Sequence, residues 1–79
     1  MHYTYILQSQ KDLNHFYVGS TSDLKRRLTE HNSGKSIHTN KLLPWKIKNY
    51  IAFEGQEKAE KFEKFLKSGN GRIFSKKHF

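Results

Sequence analysis

The stretch from Phe16 to His31, FYVGSTSDLKRRLTEH, gathers a phenol at Tyr17, a guanidinium at Arg27 and an imidazole at His31. A guanidinium is a permanently charged planar fork for an anion, an imidazole exchanges a proton near neutral pH, and a phenol is a weak acid that can hold or pass one. Two groups of the same character lie outside that stretch, the phenol of Tyr5 and the carboxylate of Glu63. Brought together, these side chains could bind an anionic substrate and move a proton on it.

The elements that must position them can be read from local chemistry. Phe16, Tyr17 and Val18 favour a strand, Gly19 closes the run with a residue that takes positive φ or admits a close approach, and Ser20, Thr21 and Ser22 offer capping oxygens before Asp23 in a first helical turn. On that helix Leu24 and Leu28 form the apolar stripe, while Lys25, Arg26, Thr29 and Glu30 face away. Arg27 and His31 fall at the stripe's edge, from which a charged group reaches a cleft. Asn32, Ser33 and Gly34 end the helix, with Gly34 suited to a left-handed stop. Upstream, His2 to Gln8 reads as a strand with Tyr3, Tyr5 and Leu7 on one face, and the polar Gln10 to His15 turns it back into Phe16 to Ser20 as an antiparallel hairpin. Tyr5 and Tyr17 become near neighbours, and the register decides whether they share a face.

Downstream, Lys35 to Pro44 reads as a mobile loop or a short helical turn. Lys46 to Glu54 reads as a third strand, with Ile47, Ile51 and Phe53 on one side and Lys48, Tyr50 and Ala52 on the other. Gly55 breaks it. Gln56 to Ser68 is predicted as a second helix with a stripe of Ala59, Phe62, Phe65 and Leu66, Glu63 at the border of that stripe, and Gly69 at its end. Asn70 to Phe79 is a short basic tail that docks or frays. The order strand, strand, helix, strand, helix, tail predicts an α+β fold, a three-stranded antiparallel sheet flanked by helices, and residues 1–79 are expected to form a single domain.

Composition narrows the partner. With 15 Lys and Arg against 7 Asp and Glu the net charge is +8, which favours an anion: nucleic acid first, anionic lipid second, or a basic surface with no partner. The absence of cysteine excludes disulfides and thiolate zinc sites, and the five histidines contain no tight pair. Nothing reads as a signal peptide or a membrane span, so the expectation is a cytoplasmic chain without a membrane partner.

Tyr3-Thr4-Tyr5 on one strand, Tyr17-Val18-Gly19 on the next, Arg27 and His31 as RxxxH, and Ala59, Glu63 and Lys67 as AxxxExxxK together resemble the GIY-YIG nuclease family. The chain looks like its small stand-alone members, which are similar to the N-terminal nuclease domain of the excision-repair subunit UvrC. Tyr3-Thr4 stands where the family has Gly-Ile, and Tyr5 keeps the hydroxyl. The resemblance implies in-line hydrolysis of a phosphodiester. Tyr17 would be the general base, Tyr5 would position or share its proton, Arg27 would bind the scissile phosphate, and His31 would orient a tyrosine or accept a proton. It implies Glu63 as the carboxylate for Mg²⁺ or Mn²⁺, since such an ion needs only one or two carboxylates besides water and substrate oxygens. Lys11, Lys25, Arg26, Lys35, Lys41, Lys46 and Lys48 would hold the nucleic-acid backbone.

Each residue also has an ordinary structural reading. Tyr5 and Tyr17 can be core aromatics, His31 a helix-end histidine favoured by the dipole, Arg27 one of many surface cations, and Glu63 a surface partner of Lys67. The resemblance, taken over all these residues together, implies a metal-dependent endonuclease acting on DNA, with RNA the alternative substrate, in repair or recombination. A protein partner could supply target recognition. The rival reading is a non-catalytic nucleic-acid-binding module or accessory subunit that keeps the fold.

Overall fold

Aromatic and β-branched residues dominate the first segment, and in the computed structural model, which describes residues 1–79, they form β1, His2–Ser9. It pairs antiparallel with β2, Phe16–Thr21, on one side and with β3, Trp45–Phe53, on the other, giving the order β2-β1-β3. The middle strand is covered on both faces, so burial runs unbroken from Thr4 to Leu7 in place of one-sided alternation. The hairpin turn hangs on Ser9. Its hydroxyl oxygen accepts from the amides of Lys11 and Asp12, and the hydroxyl donates to the Leu42 carbonyl at 2.7 Å.

The register settles the tyrosines. Tyr5 stands opposite Gly19 and Leu7 opposite Tyr17, so both phenols lie on one face of the sheet. On β3 the register slips by one residue between the partners of Ile6 and Leu7. This bulge divides the alternation expected for the strand. Trp45 and Ile47 join Tyr5 and Leu7 on the tyrosine face, whereas Ile51 and Phe53 go to the opposite face, where Phe53 meets Phe62 at 5.7 Å between ring centroids.

Helix α1, Leu24–Asn32, starts one step later than the serine-rich run suggests. Asp23 is the cap and accepts from the Arg26 amide at 3.0 Å, because β2 continues through Thr21, whose hydroxyl oxygen accepts from the Asp23 amide. Gly34, at φ 80°, ends the helix in the left-handed region. The following segment resolves as a helical turn in which the Thr39 and Asn40 amides donate to the Ser36 carbonyl. Asn32 clamps the start of β3, its side-chain amide bonded to both the amide and the carbonyl of Trp45. Leu24, Leu28, Leu42 and Leu43 pack with these elements over a core of Tyr5, Leu7 and Trp45.

On the other face lies α2, Gln56–Lys67, with Ala59 and Leu66 buried. The tail is a third helix, α3, Gly69–His78. Two glycines in its first turn disguise it in sequence, yet Gly71 is what admits it, since a Cβ there would collide with the Phe65 carbonyl. Phe74 then packs against Phe62, Phe65 and Phe79. Of the two fates open to the tail, docking prevails. Ser68 serves both helices, donating to the Phe65 carbonyl at 2.6 Å and accepting from the Gly71 amide. None of the helices is long and apolar enough to cross a membrane.

The central strand is tied to α2 by the buried Thr4 hydroxyl, which donates to the Ala59 carbonyl at 2.6 Å. Thr4→Val keeps the shape and removes the donor. It should lower unfolding free energy by about 1 kcal/mol, seen as a lower urea midpoint at unchanged slope.

Candidate active site

The site begins with the pairing of Tyr5 and Gly19. The Tyr5 ring lies so close over Gly19 that a Cβ at that position would collide with the phenol oxygen. Gly19 therefore serves a close approach and not a positive φ. The phenol is held there by two groups from α1. The Nε of Arg27 donates to the Tyr5 oxygen at 3.4 Å, and Nε2 of His31 lies 3.1 Å from it. On the far side of the imidazole, Nδ1 is 2.9 Å from the Thr39 hydroxyl, and the Thr39 carbonyl accepts from the Trp45 indole at 2.8 Å.

Arg27 can only donate, so the phenol proton goes to Nε2 of His31 and the imidazole donates through Nδ1 to Thr39. The relay runs Arg27, Tyr5, His31, Thr39, and every buried side-chain nitrogen and oxygen of the molecule has a partner. Its electrostatics agree with that direction. Burial is the chief cause holding the Tyr5 phenol above its ordinary 10.0, against the opposing pull of Arg27, so it is a protonated donor at neutral pH. Burial first, then the Arg27 charge, lowers His31 below its ordinary 6.5, against a weaker opposing effect of Glu30, so it is a neutral acceptor. His31 lies at the edge of the helical stripe by spacing, but it is wholly enclosed, 0% exposed, because the turn carrying Thr39 closes over it.

Tyr17 is half-buried beside this relay, its ring centroid 5.0 Å from that of His31. Glu63 lies on the other side of the sheet and is linked to Tyr17 through Lys67. Ser20, which points to that side, donates to one Glu63 oxygen at 2.8 Å, and Lys67 donates to the other at 2.8 Å. The Lys67 ammonium also stands 5.8 Å from the centroid of the Tyr17 ring. This junction works because β2 is an edge strand, so groups from its two faces meet over its free border. Glu63 and Tyr17 both lie near enough to act on the Tyr5 proton electrostatically.

A divalent ion fits Glu63 by donor chemistry. Carboxylate and hydroxyl oxygens are the hard ligands Mg²⁺ takes, and an ion there would replace the Lys67 ammonium on one Glu63 oxygen. Glu63 and the Ser20 hydroxyl would hold such an ion, with water and substrate completing its shell. Glu63 is a lone carboxylate there, since no cluster of three histidine, aspartate or glutamate side chains suited to a metal occurs anywhere in the chain.

The basic residues divide. Lys35 lines a cleft with Arg27, while Lys25 and Arg26 are exposed on the outer side of α1. Lys11 and Lys41 meet beyond the hairpin, where the Lys11 ammonium is 3.5 Å from the Lys41 carbonyl. Lys46 pairs with Gln8 on the face opposite the tyrosines, and Lys48 covers Phe16 there at 4.7 Å from its centroid. Three participants are new relative to the sequence reading. Ser20 was visible only as a capping oxygen and Lys67 as a helical ion-pair partner, and Thr39, in a polar loop, carries no spacing signal.

Residues 1–77 match the family model described as the GIY-YIG catalytic domain. The chain is similar to a UPF0213 protein of Lactococcus lactis subsp. cremoris, 37% identical over 67 residues, which make up 84% of this chain and 66% of that protein. It is also similar to a UPF0213 protein of Streptococcus pneumoniae serotype 4, 38% identical over 66 residues, 82% of this chain and 65% of the other. It thus spans just under two thirds of the length of these two curated relatives. Among solved structures, the solution structure of the UPF0213 protein BH0048 from Bacillus halodurans matches with a TM-score of 0.53 and 32% identity, over 92% of this chain and 79% of that one.

The buried, neutral imidazole has a thermodynamic signature. With the folded value below 6.5, the unfolded chain binds more protons in acid, so the stabilisation is complete above pH 6.5 and is lost as pH falls through the depressed folded value. Melting temperature should therefore fall between pH 7.5 and 4.5, and His31→Gln, less stable at neutral pH, should show a flatter profile by calorimetry.

Proposed function

The chain belongs to the GIY-YIG family of catalytic domains, and from that premise we propose that it is a divalent-metal-dependent endonuclease that hydrolyses phosphodiester bonds in DNA. The family domain has a nuclease fold. The observation that most supports activity in this chain is the joining of the Arg27–Tyr5–His31 relay to Tyr17 and Glu63 across the border of β2.

In this reading Arg27 binds the scissile phosphate. Its Nε is spent on Tyr5 and one Nη1 proton on Glu30, which leaves three donors for phosphoryl oxygens. Tyr5 remains protonated, its one proton committed to His31, and its oxygen, which accepts from Nε of Arg27, fixes that guanidinium against the scissile phosphate. His31 orients that phenol and is shielded from substrate by its burial. Tyr17, the less buried phenol, serves as the base in its phenolate form, taking one proton from the attacking water to become the phenol and passing it to solvent after the bond breaks, with the Lys67 ammonium standing over its ring. An ion bound by Glu63 would supply charge neutralisation at the leaving oxygen. Exposed Lys25, Arg26 and Lys35 hold the strand by its phosphates, so binding weakens steeply with salt. Action in repair or recombination, with a protein partner for targeting, belongs to the same proposal.

Supercoiled plasmid and labelled branched DNA, incubated with Mg²⁺ or Mn²⁺ and with EDTA, test it. Cleavage should require the ion. It should fall by roughly a hundredfold or more in Tyr17→Phe and Arg27→Ala and below detection in Glu63→Ala. Absence of cleavage, with salt-sensitive binding equal in wild type and variants, would identify a binding module instead.

A further inference from the structure

Beside Arg27 the surface opens into a cleft of about 310 Å³ lined by Arg27, Glu30, Lys35, Ser36, Ile37 and His38. Its outer wall is the helical turn whose Thr39 is bonded to His31 and to the Trp45 indole, so the wall is anchored to the same relay that positions Arg27. Three features of the lining describe a ligand. The Arg27 donors not used by Tyr5 and Glu30, together with the Lys35 ammonium, which stands in none of the ion pairs of the chain, call for an anion. Ile37, at 80% exposure, presents bare apolar surface at the rim, suited to the flat face of a base. Glu30 gives one oxygen to Arg27 and keeps the other free as an acceptor, with its charge offset by that guanidinium.

We propose that this cleft seats one unpaired nucleotide adjoining the phosphate held by Arg27, with its base against Ile37 and its exocyclic amine on Glu30. This deepens the nuclease reading and rests on it: the substrate has an unstacked nucleotide next to the scissile bond, as at a single-stranded segment or branch. The volume lies at the small end of ligand sites, room for one nucleotide and not for a base pair. Carboxylate acceptors pair with the amine of cytosine, whereas thymine offers a carbonyl in that place, so the seat discriminates between the two.

The test is a binding measurement that needs neither metal nor turnover. Amide NMR spectra of the protein are followed during titration with single-stranded tetramers of deoxycytidylate and of thymidylate, and with a blunt duplex of equal charge. The cytidylate tetramer should shift the amides of Ser36, Ile37 and His38 and bind several-fold more tightly than the thymidylate tetramer, while the duplex, held by its phosphates alone, leaves those three amides unmoved. Ile37→Ser, a change at an exposed residue, should weaken the tetramer roughly fivefold. Glu30→Ala should bring the two tetramers to equal affinity. Shifts confined to other surfaces, the same loop shifts with duplex, or undiminished binding by Ile37→Ser would overturn the seat. Equal affinity for the two tetramers in the unaltered protein would overturn the role of Glu30. Cleavage without loop shifts would sink this inference alone, and loop shifts without cleavage would sink only the nuclease reading.

Discussion

The hydrogen bond between Tyr5 and His31 is the constraint on which the rest of the structure depends. An imidazole enclosed without partners would be strongly destabilising, and so would a phenol buried under a helix. Each satisfies the other, and the two remaining valences recruit Arg27 and Thr39. From that follow the glycine opposite the phenol, the hairpin register that brings the glycine there, and the turn that closes over the histidine. The same bond separates the two tyrosines chemically. One is locked as a donor inside the relay, and the other is left half-buried at the border of the sheet.

An edge strand is normally a liability, because its free border invites unwanted pairing. Here the border of β2 is where the two layers of the fold communicate. The tyrosine face contributes the relay, and the α2 face contributes Glu63 and Lys67, whose side chains have only to pass over one strand. A central strand in that position would have kept the two sets of groups apart. The placement of α2 is in turn governed by Thr4 and the fully enclosed Ala59, so the residue before Tyr5 aligns the carboxylate and Tyr5 itself aligns the arginine.

Much of this was legible in the sequence. The strands, both main helices, the left-handed stop at Gly34 and the α+β class followed from β-formers, capping residues and apolar stripes. The parts that escaped did so for physical reasons. Alternation along β3 seemed continuous because a bulge at Lys48 shifts the parity without disturbing the composition. The third helix has two glycines in its first turn, and its order comes from Phe74 packing on α2, a tertiary effect that overrides local propensity. His31 could be placed on a helix edge, but its complete burial depends on a loop residue distant in sequence. The cations were legible only as a number: their division between the two faces follows from register and helix orientation.

The two polar links that flank each other on β1 also bear on when the site comes into being. Thr4 reaches a residue 55 positions away and Tyr5 one 26 positions away, so both bonds close long loops of chain. Such contacts form only when the chain has already surrendered most of its freedom, and they belong to the slow, global part of folding. A nascent or partly unfolded copy holds the arginine, the tyrosines and the glutamate on separate, unconnected segments. The grouping of these side chains therefore resides in the finished tertiary structure alone, and an incomplete chain carries the same residues without it.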